Sequence, residues 1–200
     1  LNNLKSSFLC CYCVILIEQG GDPMEYSDFD LINGIKNGDK DALSMLVRRW
    51  YPQIFRYCCK VIGNEQDAYD ITQDVFVSVL QNIERFHIWN KFSSWLFTIA
   101  HNKCMDYFRM RKKVDSTQET EAGFCTTTSV LEDQIAISNT VEKAILQLPK
   151  MQQNVIILHY FQQFTCKEIA QMTSTPLPTI KSRLSVAKKT LSKLLWEDFR

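Results

Sequence analysis

The chain has 200 residues, 46% of them apolar and 22% charged, with a net charge of +1. That length admits one or two compact units, and the composition excludes wholesale disorder. Three dispersed histidines, no clustered ligands, no nucleophile–base arrangement and no glycine-rich phosphate loop argue against an enzyme, and no cofactor or metal is expected.

Residues 1–24 read as a leader unlike the rest of the chain. FLCCYCVILI is ten apolar residues, about half of a membrane span, so stable membrane insertion is not expected. With no small-residue cleavage site it is a poor signal peptide. Met24 stands before the first well-patterned segment and is the expected native start, the leader being disordered or not native. An N-terminus at Leu1 found by mass spectrometry of the native protein would refute that.

Beyond it the pattern is helical nearly throughout, with no alternation long enough to demand a sheet. Helices are expected over 28–37, 39–62, 65–84, 92–113, 138–148, 151–163, 165–173 and 178–196. Gly38-Asp39 and Gly63-Asn64 punctuate the first three. In DAYDITQDVF, residues 67–76, Ala68, Ile71, Val75 and Val79 form an apolar side, while Asp67, Asp70 and Asp74 line up on another. Such a stripe is either a solvated face or a docking surface. Phe86, Phe92 and Trp95 are expected in the core. Between the two phenylalanines lies HIWNK, residues 87–91, whose His87, Trp89, Asn90 and Lys91 are better placed for contact. From His101 to Lys113 there are five lysines and arginines and one acid.

Residues 114–137 hold five acids and no base in a Ser/Thr-rich stretch, a linker by composition. It separates a domain at 25–113 from a smaller one at 138–200. In the second domain Val141, Ala144, Ile145 and Leu148 make an apolar stripe ended by Pro149, and Met151, Val155 and Leu158 point to a core. Thr165 and Glu168 form a capping box. Thr173-Ser174-Thr175 is a turn. Pro176 and Pro178 stiffen the approach to a final helix expected to begin at Pro178. Ile180, Leu184, Ala187, Leu191 and Leu194 make its buried stripe; Lys181, Ser182, Arg183, Lys188 and Lys189 lie mostly off it. A capped helix, a tight turn and a basic amphipathic helix are helix-turn-helix anatomy, and the second helix is the one that enters the major groove. The basic–acidic–basic layout agrees with two polyanion-facing surfaces and an acidic connector.

The eight cysteines form no disulfide framework and no CxxC pair. Reduced thiols in a cytoplasmic protein, several of them in the core, are expected. His101 and Cys104, three apart, could share a helix face as half a metal site, with no second half in view.

EIAQMTSTPLPTIKSRLSVAKKTL and LPKMQQNVIILHYFQQFT resemble region 4 of bacterial RNA polymerase sigma factors, whose helix-turn-helix reads the −35 element. One departure is Pro178, where glycine usually precedes Thr-(Val/Ile)-Lys-Ser-Arg. LuxR-type regulators share a similar C-terminal domain, so a free-standing regulator of that type is the alternative reading. Residues 67–76 separate the two. They resemble region 2 of the extracytoplasmic-function subfamily, with Asp70, Gln73 and Asp74 at positions expected to meet the polymerase β′ clamp. WLFTIAHNKCMDYFRMRKK is similar to the −10 reading part of region 2, with Asn102, Asp106 and Arg109 at characteristic positions and His101 where arginine is common.

The resemblance implies an all-α chain of two small helical domains, a region 2 bundle and a region 4 helix-turn-helix, joined by a flexible acidic linker. It implies core RNA polymerase (β′ clamp and β flap) and promoter DNA as partners, with an anti-sigma factor as a further one. It places Thr175, Thr179, Lys181, Ser182, Arg183, Lys188 and Lys189 on the −35 duplex. His87, Trp89, Asn90, Lys91, Asn102, Asp106, Arg109, Arg111 and Lys112 fall on the −10 element, and Asp67, Asp70, Gln73 and Asp74 on polymerase. Trapping unpaired bases calls for aromatic surfaces beside cations and a pocket for a flipped base, which suits this inventory.

Overall fold

The computed structural model describes residues 26–87, 91–114 and 141–198. Every regular element among them is helical: α1 (Asp28–Lys36), α2 (Lys40–Ile62), α3 (Glu65–Asn82), α4 (Phe92–Val114), α5 (141–146), α6 (Lys150–Ile156), α7 (Cys166–Met172) and α8 (Leu177–Asp198). A short 3₁₀ turn, Ile83–Arg85, follows α3, and α6 runs on through a π-helical turn over Ile157–Phe161.

Local chemistry sets the boundaries. Asp39 and Asn64 cap α2 and α3, their side-chain oxygens accepting from N–H groups of the first turn. Gly63 ends α2 in the left-handed region at φ 79°, where a Cβ would be strained. Gly34 serves close approach: a Cβ there would lie 2.8 Å from that of Ala42, so α1 seats directly on α2. Arg49 clamps the same corner, pairing with Asp28 at 2.7 Å, and the Trp50 indole N–H donates to the same carboxylate.

The apolar stripe read for α3 is buried, whereas Val141 and the Leu184, Leu191 and Leu194 positions of the last helix are only half-buried. Ala68, Ile71, Val75 and Val79 of α3 face α2 and α4, and Phe86 and Phe92 lie in the core beside Trp95, with Phe92 edge-on to Trp50. Cys58, Cys59 and Cys104 are core residues, the Cys58 and Cys104 sulfurs 4.0 Å apart. In the second set of helices Ala144, Ile145, Leu148, Val155, Leu158, Ile180 and Ala187 are buried.

Two further details differ from expectation. Met151 is 54% exposed, because it sits in the first turn of α6, beyond the reach of the core that holds Val155 and Leu158. Helix α8 starts at Leu177 rather than Pro178. The Ile180 N–H bonds to the Pro176 carbonyl at 3.1 Å, so Pro178 falls inside the first turn, where its missing N–H is harmless. The leader, and the linker beyond Val114, lie outside the described residues.

The two sets of helices are not held apart. Their buried apolar residues form one continuous cluster from Leu31 to Ala187, with Phe97 of α4 edge-on to Phe164 at 5.1 Å.

Candidate nucleic-acid interface

Three surfaces carry the predicted functional residues. The first is α3. Asp70 and Asp74 are exposed and Gln73 half-buried on the face opposite the apolar stripe. Asp67 is turned elsewhere: it accepts from the Tyr107 hydroxyl at 2.7 Å, and Arg111 stands 3.9 Å away. It ties α3 to α4, a role its helical spacing could not show.

The second surface is α4 and the segment before it. Asn102, Asp106 and Arg109 are exposed along one side of α4, Asp106 and Arg109 paired at 2.6 Å. His87 and Lys91 are exposed where the loop leaves and rejoins the bundle; Trp89, Asn90 and the Lys112 side chain lie outside the described residues. Lys36 Nζ donates to the Phe86 carbonyl at 3.0 Å, fixing the loop's first anchor. A cavity of about 310 Å³ opens beside both anchors, lined by Phe29, Ile32, Phe86, Lys91 and Phe92 among others.

The third surface is the helix-turn-helix. Thr165 accepts from the Glu168 N–H while Glu168 accepts from the Thr165 N–H, so the capping box is present. The turn closes with Ser174 in the left-handed region at φ 48° and the Thr175 N–H bonded to the Ala170 carbonyl at 3.0 Å. Beyond it Lys181, Ser182, Lys188 and Lys189 are exposed, and Thr179 and Arg183 half-buried. Thr165→Ala should cost about 1 kcal/mol of stability by loss of the cap, to be read from urea unfolding.

Glu168 has a second duty that sequence reasoning missed. Its carboxylate also takes Lys91 from the first helical set at 2.9 Å. The Lys91 ammonium, and then the Thr165 cap, hold its pKa down at about 2. His101 was missed in the same way. Rather than sharing a ligand face with Cys104, it is 7% exposed and hydrogen-bonded to Asn154 at 2.8 Å. Burial, and next the Arg109 charge, lower its pKa to about 4.

A histidine kept neutral in the fold but free to protonate near pH 6.5 when unfolded stabilises the fold above that pH. This contribution is lost as pH falls from about 6.5 to about 4, by about 3 kcal/mol. Urea melts across that window should show a loss that is smaller by that amount in His101→Gln.

Sigma-70 region 2 matches residues 46–114, and Sigma-70, region 4 matches residues 138–191. The chain is 31% identical over 176 residues to the ECF RNA polymerase sigma factor SigW of Bacillus subtilis, covering 82% of this chain and 94% of that one. The chain belongs to the extracytoplasmic-function sigma factors of the sigma-70 family. Two solved sigma factors have a similar fold. RpoE of Bartonella quintana, in complex with the anti-sigma factor NepR, aligns at TM-score 0.63 and 25% identity, over 74% of this chain and 93% of that one. CnrH, in complex with the cytosolic domain of CnrY, aligns at TM-score 0.64 and 23% identity, over 86% and 98%.

As a sigma factor it is a transcription-initiation protein, and the region 2 match decides against the LuxR-type alternative, which shared only the C-terminal helices. Among the described residues no helix is long and apolar enough to cross a membrane.

Proposed function

We propose that this sigma factor binds core polymerase through the acidic face of α3 and reads promoter DNA with α4 and α8, itself catalysing nothing and working in the cytoplasm. The observation that carries the DNA part is α8. Its Ile180 and Ala187 are fully buried while Lys181, Ser182, Lys188 and Lys189 stand in solvent behind a tight turn. A helix seated by its apolar stripe, with hydroxyls and cations outward, suits a major groove.

Asp70, Gln73 and Asp74 meet the β′ clamp, region 4 meets the β flap, and Asp67 supports the first contact from behind. Thr175, Thr179, Lys181, Ser182 and Arg183 address the −35 duplex, with Lys188 and Lys189 on its phosphates. The −10 strand is taken by His87, Trp89, Asn90 and Lys91 with Asn102 and Asp106 of α4, while Arg109, Arg111 and Lys112 hold the adjacent backbone. The cavity between Phe86, Phe92 and Phe29 is the place for an unstacked base. An anti-sigma factor would cover these same faces.

Transcription with purified core polymerase tests the reading, using the gene's own upstream region as template beside a DNA shift assay of the protein alone. RNA only when both proteins are present, with little shift by the chain itself, is the expected result. Tight unaided binding to duplex without any RNA would refute it. Lys188→Ala should weaken all promoters alike and lower the salt dependence, whereas changes at Trp89 and Asn90 should alter −10 preference by about 1–3 kcal/mol per base. Promoter profiling that exchanged those two outcomes would overturn the assignment.

A further inference from the structure

Not every cation that faces the interior of the chain is matched by a carboxylate. Asp28 holds Arg49, Glu142 holds Lys60, Glu168 holds Lys91, Asp106 holds Arg109, and Asp67 stands near Arg111. Lys150 and Arg183 have no such partner among the described residues, although Arg183 is half-buried. Lys150 leans on neutral groups instead. Its Nζ lies 5.0 Å from the centre of the Phe108 ring and donates to the Val61 carbonyl at 3.4 Å. The two come from different elements, Lys150 from the first turn of α6 and Arg183 from α8.

Both line one cavity of about 550 Å³, and Arg109 and Arg111 of α4 line it with them. Among the described residues no aspartate or glutamate lines it. Cations gathered around one concave space without a carboxylate repel one another, and a bound anion would offset that cost, because field lines of one sign converge in a cleft. The rest of the lining is of another kind. Met105, Phe108, Met151 and Val155 supply apolar and polarisable surface, and Ser174 adds a hydroxyl at the turn. Apolar walls with a few convergent charged groups, at this volume, suit a small organic ligand rather than a duplex. Lys150 and Phe108 belong to neither promoter-reading set, so the DNA assignments do not account for them.

We propose that this cavity is a binding site for a nucleoside polyphosphate, with the phosphates among Lys150, Arg183, Arg109 and Arg111 and the base along Phe108 and the two methionines. Guanidinium groups take phosphate oxygens in pairs through their planar fork, and an ammonium serves as a point charge beside them. Arg109 turns one nitrogen to Asp106, and a guanidinium has five N–H donors, so others remain for a phosphate. Thioether and aromatic surfaces hold a base by its face without reading its edge, so the site discriminates little between one base and another. The charge on both sides makes the affinity fall as salt rises.

The test is isothermal titration calorimetry of the full chain at physiological salt, with ATP, tripolyphosphate and adenosine as separate titrants. One-to-one binding of ATP is expected, with tripolyphosphate about tenfold weaker for want of the base and adenosine weaker still. Lys150→Gln should weaken ATP about tenfold through loss of one charge-assisted contact. Arg183→Gln should weaken it at least as much, and it answers the question if Lys150→Gln fails to fold. The control is Lys181→Gln, an exposed cation of α8 that does not line the cavity, which should bind ATP like the wild type. No binding of ATP, or binding unchanged by Lys150→Gln and Arg183→Gln, would overturn the site. Equal weakening by all three substitutions would overturn it too, as the mark of diffuse attraction to a cationic surface. Tripolyphosphate as tight as ATP would overturn the place given to the base. No polymerase or promoter enters the measurement, so its result stands apart from the assignment of Arg109 and Arg183 to DNA.

Discussion

Replacing Asp70 and Asp74 together by lysine should reduce transcription with core polymerase by at least about 100-fold, because it reverses the charge of the face proposed to dock, a mismatch that costs several kcal/mol, and about 2.7 kcal/mol is two decades. Both carboxylates are exposed and have no ion-pair partner among the described residues, so the fold should hardly notice. Exposed helix substitutions of this kind stay within about 0.5 kcal/mol. Asp67→Asn is the contrasting variant. Its carboxylate accepts from Tyr107 and faces Arg111, so it should lose stability first and binding second. Urea unfolding and pull-down of core polymerase separate the two effects. Retained binding in the double variant at physiological salt would show that α3 is only a solvated face.

Phe97→Ala should destabilise the chain by about 3–5 kcal/mol, the cost of truncating a fully buried aromatic ring. The ring is 1% exposed and stands edge-on to Tyr57 at 5.3 Å and to Phe164 at 5.1 Å. One side of it fills the first bundle; the other meets the second. Phe164→Ala should cost less, since that ring keeps 7% exposure and its loss leaves the Tyr57 packing intact. Equilibrium denaturation of the two variants checks the ranking. A loss under about 1 kcal/mol for Phe97→Ala would mean that the ring is not wedged between the two halves.

Much of the site was legible because helices announce themselves locally. The Ala68–Val79 stripe put Asp70 and Asp74 outside, and the Ile180–Ala187 stripe did the same for Lys181 and Lys188. Each inference needs only the 3.6-residue period and the preference of apolar groups for burial. Phe86 and Phe92 could likewise be placed in the core, leaving the loop between them for contact. Asp67 shows where this reasoning stops. It continues the acidic stripe by spacing, yet it is engaged by Tyr107, forty residues away, and no local pattern encodes that pairing.

The sequence by itself therefore determined the helices, their caps and stops, the outward faces and the family. Asp39, Asn64, Thr165 and the glycines at 38 and 63 act on their own neighbours, through hydrogen bonds and backbone freedom that need no distant partner. Only the tertiary structure decided that Glu168 serves both a cap and Lys91, and that His101 faces Asn154 rather than solvent. It alone also brought α4 and the helix-turn-helix to one cavity. The two hydrogen-bonded pairs lie 77 and 53 residues apart in the chain. Their energy depends on which surfaces meet after the helices have formed, and periodicity carries no record of that meeting.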